Sequence, residues 1–279
     1  MDMPSLGLLE LFDLTPAEDR PDYFRGPSQW RDVGTVYGGQ SLGQAVMAAS
    51  LTVDGSRPAH SMHAYFLRAG DPTEPVDYAV ERIQEGRSSS RRRVQAIQDG
   101  QIILSMIASF QDDFPSPAHQ SEMPTGIPGP EELPAREGNG RAHSGMEATL
   151  DIRILPDPTP LGGQEFRRMA QWMRCIEDLP DDQHFQRAAL AYGSDAGLLL
   201  PALVVHDYLS DTKGLRAASL DHALWWHGPV HAQDWLLYVF ETPQSGDGRG
   251  LTMGRIFAED GRLVATVAQE GMAKLVGPA

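Results

Sequence analysis

An apolar segment without proline, followed by a series of shorter alternating runs, sets the pattern of the first 110 residues. Ser41 to Ala49 is rich in Ala, Leu, Val, Met and Gln, and this predicts a buried helix. Gly38 and Gly39 predict a tight turn at its start. Asp99-Gly100 predicts a hairpin, because a type I′ turn needs positive φ at both central residues. The runs predicted as strands are His60 to Leu67, Val76 to Ile83, Ser90 to Ile97 and Gln101 to Phe110.

The same order of elements recurs in the second half of the chain. A helical stretch begins near Asp181-Asp182 and leads to Asp195. Within the next apolar run, Leu198 to Val205, Pro201 either begins a helix or bends one, because proline cannot donate a backbone N–H. Asp260-Gly261 predicts a second hairpin. The strand-like stretches here are Leu150 to Leu155, Phe166 to Ile176, Ala217 to Trp226, Trp235 to Glu241, Gly250 to Ala258 and Arg262 to Lys274.

Short motifs occur twice, 155 to 161 positions apart, and predict two copies of one folding unit. Parallel neighbours each need a crossover, so hairpin-linked strands predict antiparallel sheets. We therefore expect an α+β chain in which each copy wraps an antiparallel sheet around one helix. The expected divisions are an N-terminal unit at 1–112, a proline-rich linker at 113–148 and a C-terminal unit at 149–279. The repeated motifs are Tyr37-Gly38-Gly39-Gln40 with Tyr192-Gly193-Ser194-Asp195, His63-Ala64 with His222-Ala223, and Asp99-Gly100 with Asp260-Gly261.

Charge and composition narrow the function classes. A formal charge of −15 argues against nucleic-acid binding, which depends on clustered lysine and arginine. The sequence shows neither an apolar stretch long enough to span a membrane nor a secretory signal. Cys175 is the single cysteine, so an internal disulfide is impossible and a cytoplasmic location is expected. Cys175 itself is expected to be a packing residue.

Arginines gather once along the chain, at Arg87 and Arg91-Arg92-Arg93, with Arg68 nearby in sequence. They either solvate a strand face or bind the phosphates of a small anionic ligand. No metal site is expected, because Gly228-Pro229 prevents His227 and His231 from sharing a helix face.

Gly39-Gln40-Ser41-Leu42-Gly43 matches the G-x-S-x-G motif of serine hydrolases. That motif stands at the top of a mostly parallel sheet, whereas this chain predicts antiparallel sheets. The favoured interpretation of Ser41 is a small residue at a close-packed helix start.

The repeat places polar groups in the second copy where the first has other residues. Asp195 stands opposite Gln40, Ser219 opposite His60, and Gln269 opposite Ala108. A carboxylate, a hydroxyl and a carboxamide together can hold a water and accept its proton as it attacks a carbonyl. Backbone N–H groups at a helix start can stabilise the resulting oxyanion. Taken singly, each residue also has a structural interpretation: helix N-cap, strand hydroxyl and exposed amide.

Four segments resemble the type II acyl-CoA thioesterases: Val36 to Gln40, His60 to Arg68, Arg92 to Gly100 and Val267 to Gly271. The resemblance implies a double hotdog fold, two helices each wrapped by an antiparallel sheet, and hydrolysis of fatty acyl-CoA in fatty acid metabolism. It implies a catalytic set of Asp195, Ser219 and Gln269 that activates a water; Ser219 stands where threonine is commoner in the family. The candidates for holding the coenzyme A part of the substrate are Gly38, Gly39, Arg68, Arg91 and Arg93.

The expected protein is therefore an enzyme, a thioester hydrolase without metal or other cofactor, since coenzyme A is part of the substrate. Two alternatives remain open at this point: a hotdog enoyl-CoA hydratase, which would use an Asp with a His such as His222, and a non-catalytic acyl-CoA binding module. Exposed sheet edges make a homo-oligomer, a dimer or tetramer, the expected state.

Overall fold

The computed structural model describes residues 6–31, 34–135, 146–156, 168–208 and 214–275. Within them, thirteen strands form one sheet in which every pairing of neighbours is antiparallel. The helices are α1 (Leu8–Leu11), α2 (Gly38–Ser50), α3 (Gln183–Ser194) and α4 (Leu200–Val204). The strands are β1 (Thr15–Pro16), β2 (Tyr23–Gly26), β3 (Ala59–Phe66), β4 (Val76–Glu85), β5 (Ser89–Gln98), β6 (Gln101–Gln111), β7 (Leu150–Ile154), β8 (Arg168–Cys175), β9 (Leu215–Ser219), β10 (Asp221–Trp226), β11 (Leu236–Gly246), β12 (Arg249–Ala258) and β13 (Leu263–Leu275).

The sheet consists of two halves joined at one seam. Its order is β1-β2-β4-β5-β6-β3-β10-β13-β12-β11-β8-β7, with β9 also paired to β13. At the seam, β3 of the first half pairs with β10 of the second, and Met62 lies opposite Leu224. Each half would otherwise present an unpaired edge at this position, so the seam satisfies both edges at once.

Helices α2 and α3 lie on the inner side of the sheet and pack antiparallel against each other. Gly39 near the start of α2 meets the Tyr192 carbonyl near the end of α3, and Gly43 meets the Ala188 carbonyl one turn further along. The Tyr37 hydroxyl donates to the Tyr192 carbonyl at 3.1 Å. The start of α2 therefore meets the end of α3.

Polar side chains in the buried helix α2 are satisfied by a glutamine network. Gln44 is fully buried, donates to the carbonyls of Leu11 and Pro27 at 2.7 and 2.8 Å, and accepts from the Tyr78 hydroxyl at 2.7 Å. The side-chain oxygen of Gln40, Oε1, accepts a hydrogen bond from the Gln29 backbone N–H at 2.9 Å. A buried amide is tolerated when its donors and acceptors have partners, which explains why this helix is not purely apolar.

The segment after β6 covers one face of the second half of the sheet. The Trp172 indole donates to the Pro128 carbonyl at 2.9 Å, and Gln120 contacts the β12–β13 loop through Gly261 and Leu263. Leu133 packs in a second apolar cluster with Trp172 and other residues of the sheet. Although its composition is that of a linker, this segment contacts the sheet at these points, whereas residues 113–122 are exposed.

Most elements predicted from the sequence are present, with ends shifted by a few residues. The Asp99-Gly100 hairpin is confirmed, with φ of 47° and 71°. Asp247-Gly248 has the same signature, with φ of 52° and 73°, and was not predicted. At Asp260-Gly261 the hairpin is longer, and only Gly261 has positive φ. Pro201 lies in the first turn of α4, so it begins a helix.

Two pairs in the predicted repeat are aligned wrongly. Tyr37 precedes the start of α2, whereas Tyr192 lies near the end of α3, so Asp195 is a C-cap and not the N-cap expected. Its counterpart by position is Leu51, the C-cap of α2. His63 is exposed beside Trp225, whereas His222 is fully buried, because a shift of one residue in a strand exchanges the two faces.

Two helices, each lying against its own half of a curved antiparallel sheet and joined side by side, make this a double hotdog, as the resemblance implies. A search of the described residues finds no helix with the length and apolar character to cross a membrane.

The close helix contact predicts that Gly39→Ala destabilises the protein. In an ordinary helix interior this change stabilises by about 1 kcal/mol, but here the new Cβ would overlap the Tyr192 carbonyl oxygen and the Tyr37 ring. We expect a loss of about 1–3 kcal/mol in the free energy of unfolding, as for other overpacked sites. Urea denaturation measures it, with Gly55→Ala as control because nothing lies within 4 Å of a Cβ there. Equal stability of Gly39→Ala and the parent would contradict the packing.

Candidate active site

A cavity of about 610 Å³ opens where the start of α2 meets the end of α3. Its wall combines residues from both halves of the chain. Gly38 and Phe66 come from the first half, and Asp195, Ser219 and Gln269 come from the second. The three catalytic candidates therefore share one cavity, although they lie on α3, β9 and β13.

Asp195 is held between two helix ends. Its Oδ2 accepts a hydrogen bond from the Gly39 backbone N–H at 3.0 Å. Within the described part of the chain, this is the one hydrogen bond that the carboxylate makes. The carboxylate thus lies at the positive end of α2 and the negative end of its own helix α3. The sequence predicted backbone N–H groups at a helix start in this site. The structure brings one such group, the Gly39 N–H, from the other half of the chain, and it is bonded to Asp195, so its predicted role toward an oxyanion stays a prediction.

Burial raises the pKa of Asp195 above its ordinary value of 3.8. The Gly39 N–H and the charge of Arg31 act in the opposite direction and favour the carboxylate, and a proton gained by His222 would do the same. The raised pKa shows that loss of water outweighs these attractions. A carboxylate of this kind is a stronger base than a solvated one.

Ser219 and Gln269 are joined directly. The Gln269 side-chain N–H donates to Ser219 Oγ at 2.9 Å. Gln269 is only 1 % exposed, and its Oε1 faces His222 Nδ1 at 2.7 Å. The amide therefore has little freedom to rotate.

Gly38 leaves room for Asp195. A Cβ at this position would lie 2.7 Å from Asp195 Oδ2 and 3.2 Å from the Phe66 ring. Any larger residue would push the carboxylate out of its position. Of the two predicted glycines, Gly38 lines the cavity and Gly39 binds Asp195.

The predicted arginines separate into two groups. Arg68 lines the cavity, and Arg31, which the sequence did not single out, lines it as well. Arg91 and Arg93 lie on β5, where they contact Gln84 and Glu81, and neither lines this cavity. The sequence grouped them with Arg68 because they are near in the chain, but Arg68 follows β3 and donates to the Ile102 carbonyl of β6 at 2.9 Å.

The remaining candidates have other places in the fold. Ser41 lies in the first turn of α2 and lines the cavity, but the sheet beside it is antiparallel, so the parallel-sheet setting of the serine-hydrolase motif is absent from the described residues. Cys175 is buried, and burial raises the pKa of its thiol, which suits a packing residue. His227 contacts Thr266 Oγ1 at 2.8 Å.

The sequence named His222 only as a candidate histidine of a hydratase and did not reveal its position behind the cavity wall. His222 is fully buried and contacts both Gln269 and Ser194, the residue before Asp195. Its partners lie 47 and 28 positions away, so no local motif reveals them. The signal available in the sequence was that His222, an ionisable residue, directly follows Asp221.

Two family models match the chain: "Acyl-CoA thioesterase N-terminal domain" over residues 26–111 and "Acyl-CoA thioesterase" over residues 146–272. Human acyl-coenzyme A thioesterase 8 is 36% identical over 98% of this chain and 91% of that protein. The chain belongs to the acyl-CoA thioesterase family. A crystal structure of an acyl-CoA thioesterase II from Mycobacterium marinum superposes on the thioesterase with a TM-score of 0.83 and 39% identity over 98% of each chain. A protein of unknown function with a hot dog fold from Alicyclobacillus acidocaldarius, 18% identical with a TM-score of 0.78 over 98% of each chain, shares the fold.

Family membership identifies the thioesterase as a thioester hydrolase, as the resemblance implies. Its activity should depend on pH through Asp195. The carboxylate must be ionised to accept a proton, so kcat/KM should rise with pH through the raised pKa and fall by about tenfold per pH unit below it.

A pH profile of acyl-CoA hydrolysis measures this acid limb, which we expect above pH 3.8. Circular dichroism at each pH shows that the protein stays folded. In Asp195→Asn the limb should disappear from the residual rate. An unchanged limb in that variant would assign it to another group.

Proposed function

We propose that the thioesterase hydrolyses fatty acyl-CoA by a water held by Asp195, Ser219 and Gln269. The observation that carries this proposal is the shared cavity, which is lined by a half-buried carboxylate and by a hydroxyl and a carboxamide that are bonded to each other. Asp195 accepts the proton of the water as the water oxygen attacks the thioester carbonyl. The tetrahedral intermediate then expels the coenzyme A thiolate, which takes the proton back from Asp195, and leaves the free acid.

The cavity offers separate surroundings for the two parts of such a substrate. Apolar side chains from both halves suit an acyl chain, and the arginines suit the phosphates of coenzyme A. In a protein of net charge −15, local cations are needed to hold an anionic group. The apolar lining residues are Val36, Phe66, Leu67, Ile103, Leu199 and Leu200.

The hydratase alternative finds no support in the position of His222. A hydratase histidine must reach the substrate, but His222 is 0% exposed, has both ring nitrogens occupied by Ser194 and Gln269, and does not line the cavity. The proposed hydrolysis needs no cofactor, because coenzyme A enters as part of the substrate. A cytoplasmic location, a role in fatty acid metabolism and a homo-oligomeric state stay predictions from the sequence.

Asp195→Asn tests the proposed base. We expect kcat to fall by about 10²-fold or more, the scale of a general-base contribution, because the amide cannot accept the proton. Release of free thiol from palmitoyl-CoA measures the rate, and enoyl absorbance followed in parallel with an enoyl-CoA detects hydration. Asp178→Asn, which changes an exposed carboxylate outside the cavity, is the matched control. A parental rate in Asp195→Asn rules out Asp195 as the base.

The arginine assignment has its own test. Arg68→Gln should raise KM for acyl-CoA by about fivefold with little change in kcat, as expected for a partly solvated ion pair with phosphate. Hydrolysis of an acyl thioester of N-acetylcysteamine, which has no phosphate, should be unaffected. Arg91→Gln is the comparison: if it raises KM and Arg68→Gln does not, the arginines of β5 bind coenzyme A instead.

A further inference from the structure

His222 lies directly behind the wall of the active site. It is on β10, in the second half of the seam, and its ring is enclosed between β13 and the last turn of α3. Nδ1 is 2.7 Å from Gln269 Oε1, and Nε2 is 2.9 Å from Ser194 Oγ. Because the ring is fully buried, it can act on the reaction only through these neighbours.

The hydrogen bonds around the ring have a direction. The Gln269 amide N–H donates to Ser219 Oγ at 2.9 Å, so Gln269 Oε1 is the atom that faces the ring. A carbonyl oxygen only accepts, and therefore Nδ1 must carry the proton. Burial lowers the pKa of His222, although Asp195, Gln269 and Asp221 oppose this shift, and the lowered pKa favours a neutral ring with a single proton.

The other ring nitrogen is then an acceptor. Ser194 Oγ lies 2.9 Å from Nε2 and 2.9 Å from the Ala191 carbonyl, and its one hydrogen can go to either. With the ring proton on Nδ1, Nε2 has a free lone pair, and the Ser194 hydroxyl donates to it. This bond ties the ring to the residue next to Asp195.

We propose that His222 is a positioning residue that fixes the amide of Gln269 with its N–H group toward Ser219. The donors then run in one direction, from His222 Nδ1 to Gln269 Oε1 and from Gln269 Nε2 to Ser219 Oγ. Ser219 Oγ already accepts, and the described residues offer its hydrogen no acceptor in return. The Ser219 hydroxyl hydrogen is left to point into the cavity.

This direction of the hydrogen bonds gives Asp195 and Ser219 different roles in the reaction. Asp195 accepts the proton of the water, and the Ser219 O–H donates to the thioester oxygen as negative charge develops on it. If the amide were turned over, Gln269 Oε1 would take the Ser219 hydrogen and the cavity would lose its donor. The inference rests on the proposed function, because it assumes that Asp195, Ser219 and Gln269 together carry out the hydrolysis of the thioester.

Two substitutions of His222 separate its two contacts. In His222→Asn the side-chain N–H lies as far from the backbone as Nδ1 does in histidine, so a donor for Gln269 is kept. In His222→Gln the side-chain amide lies as far from the backbone as Nε2, so only the contact with Ser194 is kept. We expect His222→Gln to lower kcat by about tenfold, the scale of one hydrogen bond, with KM nearly unchanged. His222→Asn should retain most of the parental kcat. Equal losses in the two variants would show a purely structural role.

Gln269→Ala provides the reference. If His222 acts through Gln269, adding His222→Gln to Gln269→Ala should lower kcat no further, since coupled residues are not additive. A further tenfold loss in the double variant overturns the inference. If Gln269→Ala alone leaves kcat unchanged, the proposed function itself fails, so the two failures are distinguishable.

The parent protein also gives a direct readout if a variant does not fold. Nitrogen-15 NMR of labelled histidine distinguishes the two neutral tautomers, and only nine histidines contribute. We expect the His222 ring to carry its proton on Nδ1. A proton on Nε2 overturns the inference, because Nδ1 could then only accept from a reversed Gln269 amide.

Discussion

Gly39 and Gly43 bring the backbones of α2 and α3 together along antiparallel axes, close to the carbonyls of Tyr192 and Ala188. This packing puts the start of one helix against the end of the other, and the active site lies at that junction. The seam between β3 and β10 holds the same two halves together from the side of the sheet. Close helix contact is therefore both a packing feature and the reason that Asp195 can receive an N–H from the other half of the chain.

The position of Asp195 balances opposing electrostatic effects. A carboxylate at the end of its own helix is disfavoured by the helix dipole, and burial disfavours its charge further. The start of α2 and the charge of Arg31 favour it. The net result is a raised pKa of Asp195. A base of this kind arises only because the two halves are packed together.

The sequence predicted the architecture and named three polar residues that line one cavity, but it did not predict their arrangement. Hairpin signals and alternating runs are local, so β3 to β6 and the Asp99-Gly100 turn could be predicted. The Tyr-Gly motifs looked equivalent because glycine suits both a helix start and a close helix contact. The match of His63 to His222 failed because one residue of register exchanges the faces of a strand. Such errors are invisible until tertiary contacts are known.

The duplicated unit also explains why the chemistry belongs to one end of the helix pair. At the opposite end, the C-cap of α2 is Leu51, an exposed apolar residue in the place that Asp195 holds at the end of α3. The start of α3 is already capped by Asp182, whose carboxylate accepts the His184 N–H at 3.2 Å. That carboxylate caps its own helix, whereas Asp195 binds the helix start of the other half. The two ends share a fold but not an electrostatic field, and only the end with Asp195, Ser219 and Gln269 combines a base with donors facing a cavity.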